Sequence, residues 1–187
     1  MISKKPILLA LVPLLMISCM LPGMIPLPSG DEPSMPYMEK DEDVFLETIN
    51  GRDWHTLESL AKEKYTEEEY AGPGTLTFTA ILPDDKPVYL SYGWCASDET
   101  TLQQNFEHIS IGLYFEEEQL GEDVIHITTF STADGMTCVA FGVLMSDWEP
   151  GEYRLKAVAT FDEEINDGFA DFDAGDYVFE YNVTVRK

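Results

Sequence analysis

Glu152-Tyr153-Arg154-Leu155-Lys156-Ala157-Val158-Ala159-Thr160-Phe161 sets Tyr153, Leu155, Ala157, Ala159 and Phe161 on one side of an extended chain. The same period of two returns at 176–185, where Tyr177, Phe179, Tyr181, Val183 and Val185 share a face. These ten positions predict two half-buried strands. Working outward, turn-bounded segments at 75–80, 88–94, 108–116, 124–131 and 137–145 read the same way, with Ile109, Ile111, Leu113 and Phe115 joining the core. Pro83-Asp84-Asp85-Lys86-Pro87 is a turn between the first two. Seven strands with no amphipathic helix between them predict a mainly β fold, an antiparallel seven-stranded sandwich spanning 75–187.

A short helical preface is expected over 44–74. Asp53 can cap a helix whose Trp54, Leu57, Leu60 and Ala61 recur on one face. Thr66-Glu67-Glu68-Glu69 is a capping box, flanked by Tyr65 and Tyr70 as a hydrophobic staple. Gly72-Pro73-Gly74 ends it, because proline cannot continue the helical ladder.

Trp148-Glu149-Pro150-Gly151-Glu152-Tyr153 resembles the corner of immunoglobulin-like and fibronectin type III sandwiches. The resemblance implies an immunoglobulin-like arrangement and a phenol at Tyr153 that hydrogen-bonds back to the upstream backbone. The cysteine-tryptophan-cysteine spacing of immunoglobulin domains is absent.

The chain has 187 residues, with 35 Asp and Glu against 11 Lys and Arg, a formal charge of −24. Such a field opposes capture of a phosphate backbone, so nucleic acid is excluded as a partner. At the N-terminus, Lys4-Lys5 precede an apolar run from Pro6 to Ile17, too short to span a bilayer, which reads as a signal peptide over 1–18. Met16-Ile17-Ser18-Cys19 resembles the lipobox of bacterial lipoproteins. That resemblance implies cleavage before Cys19, a diacylglyceryl thioether on its sulfur, and a bacterial envelope location on the extracytoplasmic side. Loss of 1–18 removes two lysines and no acid, leaving 9 basic and 35 acidic side chains on 169 residues, a formal −26. The membrane is then reached through acyl chains, not surface charge. Residues 19–43 carry five prolines and the cluster Asp41-Glu42-Asp43 and are expected to form a disordered tether.

Cys95 and Cys138 remain as two thiols in an exported chain, so a disulfide between them is expected. With Val139, Phe141, Val143 and Met145 inward, Cys138 points outward, and Cys95 is out of phase with Trp94 in the same sense. The bridge therefore ties strand ends at the rim instead of crossing the core.

Enzymatic signatures are missing: no Gly-x-Ser-x-Gly elbow, no phosphate-binding glycine loop, no His-Glu-x-x-His. The three histidines, His55, His108 and His126, stand at no ligand spacing. The densest acidic segment offers Asp162, Glu164, Asn166, Asp167, Asp171 and Asp173 as candidate oxygen ligands for calcium, against a plain solvated loop with turns at Asn166-Asp167-Gly168 and Ala174-Gly175. It is not an EF-hand, since the frame from Asp162 puts Asp167 where glycine is required. Trp54, Tyr89 and Trp148 could stack on sugars if they reached the surface. The expectation is a non-catalytic, lipid-anchored envelope domain without a resident cofactor, serving binding or structural support for an unknown envelope protein or glycan. The alternative is a calcium-dependent adhesin or carbohydrate-binding module.

Overall fold

The alternation at 152–161 and 176–185 builds the middle of a sheet. In the computed structural model, which describes residues 34–83 and 85–186, β9 (Gly151–Phe161) pairs antiparallel with β12 (Gly175–Val185) along its whole length. β5 (Ile109–Phe115) joins the other side of β9, followed by the two-residue β6 (Glu118–Gln119). Beyond β12 lies β3 (Gly74–Leu82), which runs parallel to it. The order β3-β12-β9-β5-β6 forms one five-stranded sheet.

The second sheet centres on β8 (Thr137–Ser146), paired antiparallel with β4 (Val88–Ala96). On the far side of β8, two strands share one edge: β1 (Tyr37–Met38) at its end and β7 (His126–Ser131) over its first half. β2 (His55–Thr56) lies parallel to the start of β4. The inner faces of both sheets feed one apolar cluster, in which Leu113, Val143, Leu155, Ala157 and Ala159 are fully buried. Of the ten positions read from the two long strands, Phe179 and Val185 are only partly covered, and both pack against that cluster.

The sheets are mixed, not wholly antiparallel, which corrects the expectation. After β3 the chain crosses at 83–87 to the other sheet, so β3 has no hairpin partner in its own sheet. Its neighbour is instead the last strand, which arrives in the same direction. Five two-residue strands, including the hairpin of β10 (Ile165–Asn166) and β11 (Asp171–Phe172), were too short to leave a period in the sequence.

The helical preface also differs. α1 spans Glu42–Gly51, and the Asp41 carboxylate accepts hydrogen bonds from the Asp43 and Val44 amides. The acids read as part of a tether instead cap a helix and suit the positive end of its dipole. Order therefore reaches back before Val44: Met38 is buried and β1 pairs with β8. Asp53 caps nothing; it lies exposed in an ion pair with Lys86 at 2.8 Å. Thr56 caps the single turn of α2 (Leu57–Leu60), and Thr66 with Glu69 makes the full capping box of α3 (Glu67–Ala71), with Tyr65 and Tyr70 edge to face. One further helix, α4 (Glu99–Asn105), stands between β4 and β5, where none was expected. Asp98 caps it, and it covers the core with Leu102. The segments expected to form the signal peptide (1–18), the lipidated Cys19 and the tether as far as residue 33 lie outside the described residues.

Candidate functional site

β8 carries different side chains on its two faces, and the outer one is unusual for its small residues. Rows across β4, β8 and β7 read Ser91-Gly142-His126, Gly93-Ala140-Thr128 and Cys95-Cys138-Phe130. Directly opposite one another, Cys95 and Cys138 form a disulfide between adjacent strands on this outer face. At the other end of the face, the Tyr89 ring occupies the space over Gly142, where any Cβ would stand 2.2 Å from it. The Tyr89 hydroxyl reaches Thr128, and burial raises its pKa. Phe45 of α1 and Leu144 complete a small second cluster there.

His126 links this cluster to α1. Its ring stacks on Phe45 at 4.1 Å, nearly parallel, and Nε2 donates to the Glu39 carbonyl at 3.0 Å. Between α1 and β7 lies a crevice of about 200 Å³, lined by Glu42, Phe45, Leu46, Ile125, His126 and Ile127. The sequence signal for it was present but unread: a run free of Asp, Glu, Lys and Arg from Ile125 to Ala133 in a very acidic chain.

The aromatic residues considered for sugar stacking are engaged in packing. Tyr89 is buried, Trp54 packs edge-on against it and donates its indole N–H to the Ile49 carbonyl at 3.1 Å. Trp148 belongs to the other sheet's rim, edge to face with Tyr153, its indole N–H enclosed without a partner among the described residues. The Tyr153 hydroxyl donates to the Glu149 carbonyl at 2.8 Å, four residues upstream across the Pro150-Gly151 turn. Burial, then the nearby Glu149 charge, raises its pKa.

The acidic segment spends its oxygens locally. Asp167 accepts from the Phe169 and Ala170 amides at 2.7 and 2.8 Å, and Asn166 accepts from the Gly168 amide at 2.7 Å, closing the β10–β11 turn. Gly168 has φ +97, a left-handed conformation that favours glycine there. Asn166 also donates to Asp171. Asp162 faces His108 Nδ1 at 2.9 Å, Glu163 faces Nε2 at 3.4 Å, and the pair of acids raises the His108 pKa, the Asp162 hydrogen bond most. Glu164 and Asp173 are exposed, and only the backbone of Asp173 is used, accepting from Tyr177. Among the described residues, no three His, Cys, Asp or Glu side chains are grouped as a metal ion would require. His55 lies on β2, far in sequence from the other two histidines and on a different element.

No family model and no curated protein matches this chain. Among solved structures, a cysteine protease inhibitor from Entamoeba histolytica aligns over 71% of this chain and 97% of its own, at 11% identity and a TM-score of 0.31. A likeness of that size carries no argument about fold or function.

Proposed function

We propose that this chain is a non-catalytic, lipid-anchored domain of the bacterial envelope, displayed on the extracytoplasmic side for binding or structural support. The observation that carries the reading is the Cys95–Cys138 disulfide, because such a bond persists in compartments outside the reducing cytoplasm. It agrees with the signal-like N-terminus and with Cys19 at the lipobox position. The immunoglobulin-like class of sandwich is part of this proposal. Seven long strands and the turn that ties Tyr153 to Glu149 support it. In this reading the acyl chains hold the membrane, and the partner is an envelope protein or glycan.

Intact mass of the native protein tests the reading. The expected mass is that of residues 19–187 plus a diacylglyceryl group, less two hydrogens for the disulfide. Native material retaining residues 1–18 and carrying no lipid would overturn it.

A further inference from the structure

β7 is the outermost strand over the first half of β8, and its outer edge has no strand beside it among the described residues. Thr132 N–H donates to the Met136 carbonyl at 3.0 Å, so the even-numbered residues turn their backbone groups toward β8. Ile127, Thr129 and Ser131 consequently turn theirs away. Among the described residues no hydrogen bond reaches those three groups from the open side. Ile127 and Phe130 are 61% and 48% exposed, and they project from opposite faces of the strand. Natural sheets usually guard such an edge with lysine, proline, a bulge or a covering segment. Among the described residues β7 has none of these.

We propose that this edge receives an extended polypeptide that adds to the sheet as a further strand, apolar at its centre and carrying Lys or Arg at its ends. Over the six residues of β7 the contact runs about 20 Å. The outward N–H and C=O groups of these three residues supply the ladder, while Ile127 and Phe130 each offer an apolar neighbour on one face. Charge selects the ends. Glu42 shares the crevice beside Ile127, Glu122 precedes the strand, and Asp134 follows it. A second copy is a poor occupant, since it would bring together two bodies each at a formal −24. The inference stands whether or not Cys19 carries lipid.

The test is calorimetric titration of the full chain with a synthetic peptide having a Val-Thr-Val-Thr-Val centre and lysines at both ends. Saturable binding is expected, weakened at least about tenfold by Thr129→Pro, which removes one outward N–H and leaves the β8 ladder intact. Ile127→Lys, at an exposed position that does not test backbone tolerance, is expected to weaken it similarly with an unchanged melting temperature. Replacing the terminal lysines by glutamates, or methylating alternate peptide amides, should abolish binding. Binding that survives both protein variants, or that the glutamate-ended peptide matches, overturns the proposal. So does a concentration-dependent dimer of the chain that Thr129→Pro dissolves, which would make the occupant a second copy.

Discussion

β3 and β7 are both edge strands, yet among the described residues one is covered and the other bare. Along β3, the Lys62 amide donates to the Thr79 carbonyl at 3.1 Å, the Glu63 carboxylate accepts from the Thr79 amide at 2.6 Å, and Ala61 bridges to Ala80. The Tyr65 hydroxyl donates to the Thr77 carbonyl at 2.7 Å and accepts from its amide at 3.2 Å. Residues 61–65 thus satisfy the outward groups of Thr77 and Thr79 on β3 without forming a regular strand. Among the described residues nothing comparable lies along β7. The difference teaches that this fold has a way of closing an edge and, among the described residues, uses it on β3 and not on β7.

Substitutions of similar residues should separate the two edges. Phe78, on β3, is buried and stacks on Tyr181 at 4.9 Å, so Phe78→Ala should cost about 3–5 kcal/mol in denaturant unfolding. Phe130→Ala on β7 should cost no more than about 0.5 kcal/mol, since half of that ring is already in water. Between these extremes falls the disulfide that pins β4 to β8, the strand on which β7 rests. Replacing Cys95 and Cys138 together by alanine opens a link between residues 43 apart and should lower stability by about 2–4 kcal/mol. Tyr65→Phe removes the hydroxyl from both Thr77 bonds and should cost about 1 kcal/mol, with faster amide exchange at Thr77.

Much of this contrast was hidden in the sequence, although the strands themselves were legible. A period of two says which side chains face inward, and it located all seven long strands and the core face of β9. It does not say which strand lies alongside, so the parallel pairing of β3 with β12 was out of reach. α1 was missed because Asp41, Glu42 and Asp43 look alike whether solvated or capping; the distinction lies in the backbone. α4 was missed because seven residues with Leu102 and Asn105 buried make too short a stripe. The disulfide could be read because, with Cys19 set aside, two cysteines leave one pairing, and its outward phase followed from Val139 and Val143. Whether an edge is bare depends on what the rest of the chain lays against it, and Lys62, Glu63 and Tyr65 carry no mark of that duty.

The smallest expected effects are those of pH, and they too fall differently on the molecule. The Thr79 amide holds the Glu63 carboxyl below its ordinary value. Its contribution to covering β3 is present above the unfolded carboxyl pKa and fades as pH falls through the lowered folded value. The protection of the Thr79 amide, taken relative to its intrinsic exchange rate at each pH, should therefore drop only below the ordinary carboxylate range. His108 behaves in the opposite sense: Asp162 raises its pKa, so its contribution is complete below the unfolded histidine pKa and is lost as pH rises through the raised folded value. Histidine titration followed by NMR checks that direction, and Asp162→Asn should bring the midpoint down.

Residue-resolved amide hydrogen exchange on the full chain compares the two edges in one experiment. The amides of Thr77 and Thr79 should be protected, while those of Ile127, Thr129 and Ser131 exchange far faster than their even-numbered neighbours on β7. Slow exchange at Thr129, matching Thr79, would mean that the β7 edge is already occupied in the free protein, and would contradict the account.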